Sequence, residues 1–166
     1  MQLLSVLVHP DPRLRQVAKP VTDFNADLAT LVENMAHTMY HENGIGLAAI
    51  QVGVPLRVLV IDLSKDHQAL QTFINPEIQT QEKAQTVEEG CLSVPGFFEK
   101  VNRAQSIQVS AVNIHGNPFT KSASGLEAAC ILHEIDHLDG KLFVDYLSTL
   151  KQSRIRRKLV KMKAAA

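Results

Sequence analysis

The run His133-Glu134-Ile135-Asp136-His137 sets two imidazoles four positions apart, with a carboxylate beside the first. On a helix, side chains at i and i+4 stand one above the other on a single face, so both rings can close on one metal ion. Glu134 then sits where it can take a proton from a water on that ion, which is the chemistry of a metal-dependent hydrolase. Catalytic sites of this kind generally use three protein ligands and keep one position open. A third histidine placed as in the metzincins is excluded, because Phe143 occupies that position. A glutamate from a later helix, as in proteases of the thermolysin type, is disfavoured because no acidic residue follows Asp145.

Cys91 is the third-ligand candidate. It lies in Glu88-Glu89-Gly90-Cys91-Leu92-Ser93-Val94-Pro95, where a thiolate would bind a divalent ion strongly and Gly90 allows close backbone approach. Cys130 competes, three positions before His133, but it is seven residues from His137, or about 10 Å of helix rise, so one ion could not hold all three. Cys130 therefore reads as core, and the site as open. His9, His37, His41, His67 and His115 have no companion at ligand spacing and are assigned to surface or capping roles.

The elements that must position these groups are legible in outline. Leu28, Leu31, Val32, Met35, Met39 and Tyr40 recur at helical steps after Asn25, which predicts an amphipathic helix over residues 26 to 43 with Gly44 as its stop. Val58 to Ile61, Thr72 to Ile74 and Ile107 to Ile114 read as strands. His115-Gly116-Asn117-Pro118 is a turn, and Phe119 to Ala123 returns as the partner of a hairpin. Ser124-Gly125-Leu126-Glu127 has the form of a capping box opening the metal-bearing helix, which Asp139-Gly140 closes. Pro95 and Gly96 should break the chain after Cys91. No internal repeat or long linker is present.

A chain of 166 residues that is 45% hydrophobic suits one α+β domain with a sizeable core. No apolar run approaches a membrane span, and the opening reaches His9-Pro10-Asp11-Pro12 too early for a signal peptide, so the cytosol and reduced thiols are expected. Net charge is zero but unevenly spread. Lys151, Arg154, Arg156, Arg157, Lys158, Lys161 and Lys163 follow the last acidic residue, and the remaining body holds 10 basic against 17 acidic side chains. Such a tail marks either a partner-binding segment or a solvated helix whose cations favour its own negative end.

Three segments, Gly44-Ile45-Gly46-Leu47-Ala48-Ala49-Ile50-Gln51-Val52-Gly53, Glu89-Gly90-Cys91-Leu92-Ser93 and His133-Glu134-Ile135-Asp136-His137-Leu138, resemble in order and spacing the signature of the peptide deformylases. The likeness runs from Pro10-Asp11-Pro12-Arg13-Leu14-Arg15 into the terminal helix. It implies a single α+β domain over residues 1 to 166, with antiparallel β-sheets around a central metal-binding helix and a basic C-terminal helix over 146 to 166. It implies a metallohydrolase that removes the formyl group from formyl-methionyl nascent polypeptides and releases formate. The resemblance agrees with Cys91, His133 and His137 as ligands and Glu134 as general acid/base, and it adds Gln51 and the Leu92 N–H as oxyanion donors. By residue type alone, Gln51 would be a structural hydrogen bond closing the glycine-rich segment.

The same likeness implies that Gly44, Ile45, Gly46 and Gly90 lend backbone edges to the substrate, and that Ile45, Leu126 and Ala129 form a methionine pocket. It suggests ferrous iron, although ligand softness also admits zinc, nickel or cobalt. It further suggests a cytoplasmic monomer that binds no membrane or DNA and touches the ribosome near the exit tunnel through the basic helix. Where many bacterial relatives carry an arginine after the cysteine box, this chain has Gly96-Phe97-Phe98. Arg103 is expected to pair with Glu89 as a surface ion pair of little energetic weight. The rival readings are a zinc endopeptidase and a non-catalytic metal-stabilised binding module.

Overall fold

Val58-Leu59-Val60-Ile61 is an unbroken apolar run because the strand it forms is covered on both faces. In the computed structural model, which describes residues 1–166, this run is β2 (Val58–Ile61) and all four side chains are buried. Val58 and Val60 join a core cluster with Val32, Met35 and Met39 of α1 (Ala26–His41), while Leu59 and Ile61 join a second cluster with Ile131, Ile135 and Leu138 of α2 (Gly125–Leu138). The period-two alternation of the strand thus divides the interior into two cores.

Around β2 runs one five-stranded sheet in the order of the chain, β1 (Gly46–Ala48), β2, β3 (Gln71–Cys91), β4 (Val94–Val112) and β5 (Pro118–Ser124), every neighbour antiparallel. The architecture is the expected single α+β domain, although one continuous sheet replaces the several that were expected. The predicted strands at 72 to 74 and 107 to 114 are fragments of β3 and β4. Residues 79 to 84 of β3 are exposed, so no apolar alternation marks them and backbone pairing carries the strand. The expected hairpin is present, with Val112 paired to Pro118.

Pro95 and Gly96 do not end a strand. Between the pairs Glu89 to Glu99 and Cys91 to Val94, β3 has only Gly90 while β4 has Pro95 to Phe98, so β4 bulges outward with Gly96 at φ +83°. Cys91 is consequently the last residue of β3, joined to β4 by the two-residue turn Leu92-Ser93. The N-terminal segment braces this turn, as the Leu7 N–H donates to the Gln51 carbonyl and the His9 N–H to that of Ser93.

Two expected helix ends differ, and one expected cap does not form. The first helix stops at His41 rather than residue 43, and Asn43 takes the left-handed conformation at φ +58°, a role asparagine tolerates, while Gly44 lies beyond it under the Leu92 side chain. The capping box before α2 does not form. Ser124 is still strand, Gly125 turns into the helix at φ +60°, and the Glu127 carboxylate accepts instead from Gln71 and lies 3.5 Å from Lys121. The terminal helix α3 (Thr149–Ala165) starts after 146, because a 3-10 turn over Phe143–Tyr146 precedes it and the Ser148 hydroxyl caps it by accepting from the Lys151 N–H. Ile155 and Leu159 anchor α3 in the core, and no helix is long and apolar enough to cross a membrane.

Candidate active site

Helix α2 is buried along most of its circumference, which fixes the rings of His133 and His137 on one side of it. Their Nε2 atoms lie 3.2 Å apart, and the His137 Nε2 lies 3.3 Å from the Cys91 Sγ at the end of β3. All three candidate donor atoms fall within 4.8 Å of one another. A tetrahedral ion bound at about 2.0–2.3 Å requires donor separations of about 3.3–3.6 Å, close to those present. His133 Nδ1 faces the Glu89 carboxylate at 2.8 Å, so its proton belongs on Nδ1 and a lone pair on Nε2 is aimed at the cluster. Two imidazole lone pairs and a thiol converging in the interior call for a cation between them, and the set fits a divalent ion. His137 Nδ1, on the far side of its ring, is buried with no partner.

Glu89 is itself held by Arg103 of β4. The guanidinium forks onto it through Nε at 2.6 Å and Nη2 at 2.8 Å, and its third nitrogen reaches Asp136 of α2 at 2.6 Å. The Tyr146 hydroxyl donates to the same Asp136. The expected Arg103–Glu89 pair therefore exists, but it is buried, not on the surface, with both residues 8% exposed. Burial alone would push the Glu89 carboxyl up, yet Arg103 and His133 hold it down to about 2. Asp136 and Tyr146 were not singled out in the sequence. Asp136 stands inside the histidine run itself, three residues after His133 and so beside it on the helix, which was the available signal.

Glu134 lies one residue past the first ligand and 4% exposed, its Oε1 without a partner. Burial pushes its carboxyl up to about 7, against the pull of His133. The backbone of β1 crosses directly over it, and a side chain at Gly46 would bring a carbon to 2.5 Å from the Glu134 Oε2. A side chain at 46 would therefore displace the Glu134 carboxylate, so glycine matters here for close approach rather than for backbone conformation. Gln51, in the 3-10 turn after β1, is oriented by both its ends. Its Oε1 accepts from the Ala48 N–H at 2.9 Å, while its Nε2 donates to the Ser93 hydroxyl at 3.0 Å and stands 3.5 Å from the Cys91 Sγ. The structural bond closing the glycine-rich segment and the placement of an amide donor beside the cluster are thus properties of the same side chain.

These groups open on a cleft of about 570 Å³ lined by Gly44, Ile45, Gly46, Gln51, Gly90, Cys91, Leu92, Leu126, Ala129, Cys130, His133 and Glu134, among others. Every predicted site residue lines this cleft except His137, which joins the other two candidate ligands in the cluster but is itself fully buried. Cys130 is buried, as expected of core, but its sulfur also reaches the cleft wall, 3.8 Å from the Ile45 carbonyl. Of the histidines set aside, His41, His67 and His115 are exposed, whereas His9 is buried at 8% because its backbone is pinned beside the Leu92-Ser93 turn. Leu126 and Ile45 are 57% and 45% exposed, large apolar groups left facing the opening. β1 ends the sheet, so one edge of its backbone is unpaired.

A sequence profile of the polypeptide deformylases matches residues 3–153. The chain belongs to that family. It is 56% identical over 164 residues to a peptide deformylase of Alkalilimnicola ehrlichii, covering 98% of this chain and 92% of the relative. It is 53% identical over 162 residues to that of Pseudomonas aeruginosa, covering 97% and 96%. Among solved structures, a peptide deformylase from Legionella pneumophila superposes with a TM-score of 0.94 at 48% identity, covering 99% of this chain and 97% of the other. One from Ehrlichia chaffeensis in complex with actinonin superposes at 0.92 with 37% identity, covering 98% of each. The protein is accordingly an enzyme of the deformylase class, acting to remove formyl groups from nascent peptides. The binding-module reading falls with that result.

Proposed function

We propose that this deformylase hydrolyses formyl-methionyl nascent polypeptides with a divalent ion held by Cys91, His133 and His137. The observation that carries the reading is the convergence of one sulfur and two imidazole nitrogens beside a buried carboxylate at the wall of an open cleft. An ion held there supplies Lewis acidity, lowering the pKa of water from near 16 toward about 7 and polarising the formyl carbonyl.

The chain's own residues do the rest. Glu134, buried beside the cluster at the wall of the cleft, is placed to exchange protons: it takes one from the attacking water and returns it to the departing amine. The Gln51 Nε2 and the Leu92 N–H donate to the oxygen on which negative charge develops. Glu89, locked by Arg103, holds the His133 ring in the tautomer that offers Nε2. The unpaired edge of β1 and the backbone at Gly44, Ile45, Gly46 and Gly90 align the peptide as an added strand, with the methionine side chain between Ile45, Leu126 and Ala129. The amide bond to the formyl carbon breaks, and formate and a free amino terminus leave.

Ferrous iron is the proposed ion, with loss of activity in air as its sign. The proposed setting is a cytoplasmic monomer whose exposed Arg154, Arg156, Arg157, Lys161 and Lys163 on α3 meet ribosomal RNA near the exit tunnel. Formate release from formyl-Met-Ala-Ser by protein of known metal content tests the reading. Glu134→Ala should keep its metal and release no formate; normal turnover by that variant would remove Glu134 from the mechanism. Cleavage of unformylated peptides at internal bonds would favour the endopeptidase alternative.

A further inference from the structure

Arg103, which braces Glu89 in the wall of the cleft, also lines a second cavity of about 540 Å³ that shares no residue with the first. Its walls come from β3, β4 and α2. Ile78, Ala104 and Leu132 pack on the larger core from one side and are only partly buried, leaving their other side to the cavity beside Ile135. Tyr146 closes the wall at 50% exposure. Its hydroxyl is held by Asp136 and its ring lies 5.1 Å from the Arg103 guanidinium, so the ring is fixed there and cannot swing in to fill the space. A concave, largely apolar surface of this volume, with a few polar groups around it, has the dimensions of a small-molecule site.

The polar groups decide the sign of the ligand. Two carboxylates line the cavity and both are engaged, Asp139 by Arg57 at 3.0 Å and Asp136 by Arg103 at 2.6 Å. Lys83, by contrast, is exposed and enters no ion pair. It stands inside β3 in the left-handed conformation at φ +59°, which a residue other than glycine or asparagine rarely adopts and which gathers at ligand-holding positions. Arg103 adds donor capacity, because Glu89 and Asp136 occupy three of its five N–H groups. An unpaired ammonium and a guanidinium with spare donors thus border an apolar surface whose carboxylates are already neutralised. The complement is an anion with an apolar tail.

We propose that this cavity is a second ligand site that takes a free fatty acid of medium chain length, the hydrocarbon against Ile78, Leu132, Ile135 and Tyr146 and the carboxylate on Lys83. The site is independent of the chemistry in the cleft. A flexible chain removes the uncovered apolar side chains from water, and the lysine stem lies along it while the ammonium meets the carboxylate at the rim. A cationic amphiphile would instead bring its charge against Lys83 and Arg103. A ten-carbon acid bound with the efficiency usual for small ligands has a Kd of about 1 mM or below. The ion pair at the rim is exposed, so it contributes a factor of a few.

The test is a methyl NMR titration of the metal-loaded full chain with sodium decanoate and, separately, with decylammonium chloride. Decanoate should give saturable shifts at the methyls of Ile78, Leu132 and Ile135 with a Kd of about 1 mM or below, and decylammonium should bind about fivefold more weakly. Lys83→Glu should weaken decanoate about tenfold and reverse the order of the two amphiphiles. Ala84→Phe, which places a ring in the cavity, should abolish the shifts. Turnover of formyl-Met-Ala-Ser should be the same in both variants as in the wild type, since neither residue touches the cleft. No saturable shift at these methyls up to about 10 mM decanoate would overturn the site, as would shifts confined to Ile45 and Leu126 of the cleft, or decylammonium binding as tightly as decanoate. Each of those results would leave the deformylase reading standing, and loss of formate release from the wild type would overturn that reading alone.

Discussion

Replacing Arg103 by alanine removes the cation shared by Glu89 and Asp136, whose side chains are only 9% and 16% exposed. Removing one partner of a buried ionic cluster costs about 3–5 kcal/mol, because the remaining charges stay out of water unpaired. Here the lower end applies, since Glu89 keeps the His133 Nδ1–H at 2.8 Å and Asp136 keeps the Tyr146 hydroxyl. Unfolding entropy scales at about 2.1 cal/mol/K per residue, or about 0.35 kcal/mol/K for this chain, so about 3 kcal/mol corresponds to a fall in Tm of roughly 8–9 °C. Loosening His133 should also weaken metal affinity by about tenfold or more. Thermal unfolding followed by circular dichroism, with a competitive metal titration on the same samples, measures both. Arg103→Lys should rescue neither, because one ammonium cannot fork onto Glu89 and reach Asp136 together. A surface pair worth at most about 1 kcal/mol would move Tm by less than about 3 °C. A shift that small, with metal affinity unchanged, would refute the buried-network account.

Other consequences can be checked separately. Gln51→Ala should lower turnover of formyl-Met-Ala-Ser by about 100-fold or more through loss of a donor to the developing charge, and an effect below about tenfold would take Gln51 out of that role. The buried Asp62 carboxyl would be raised by burial, but the Ser64 hydroxyl, the Tyr40 hydroxyl and the backbone N–H groups of Ser64 and Ala69 hold it down at about 2. Its folded pKa thus lies below its ordinary value near 3.8, so its stabilising contribution is complete above about pH 4 and is lost as pH falls toward 2. Asp62→Asn should flatten the stability profile across that window in urea titrations, and an unchanged slope would dismiss the assignment.

Much of the site was legible because its chemistry is carried by residue types with few other reasons to stand at such spacing. Two histidines at i and i+4 with a glutamate between them announce themselves, and the need for a third donor narrows the choice to Cys91. Its partners were harder to see. Arg103 and Glu89 looked like surface charges because the sequence around them is polar, and only the folded β3–β4 hairpin, closed over α2, takes them out of water. The long strands were invisible for a related reason. Residues 79 to 84 are solvated, so their strand character comes from backbone pairing and leaves no hydrophobic period to read. Ser124 and Glu127 had the spacing of a capping box, but tertiary context won: β5 runs straight into α2 through Gly125, and Glu127 found partners on its neighbours.

The central claim is that one thiolate and two imidazoles hold a single ion and leave it open to solvent. X-ray absorption of the zinc-loaded protein tests this most directly. The account predicts one sulfur at about 2.3 Å, two imidazole nitrogens at about 2.0–2.1 Å and one further light atom from water, with the sulfur shell absent in Cys91→Ala. A sphere filled by four protein donors, or one without sulfur in the wild type, would contradict it.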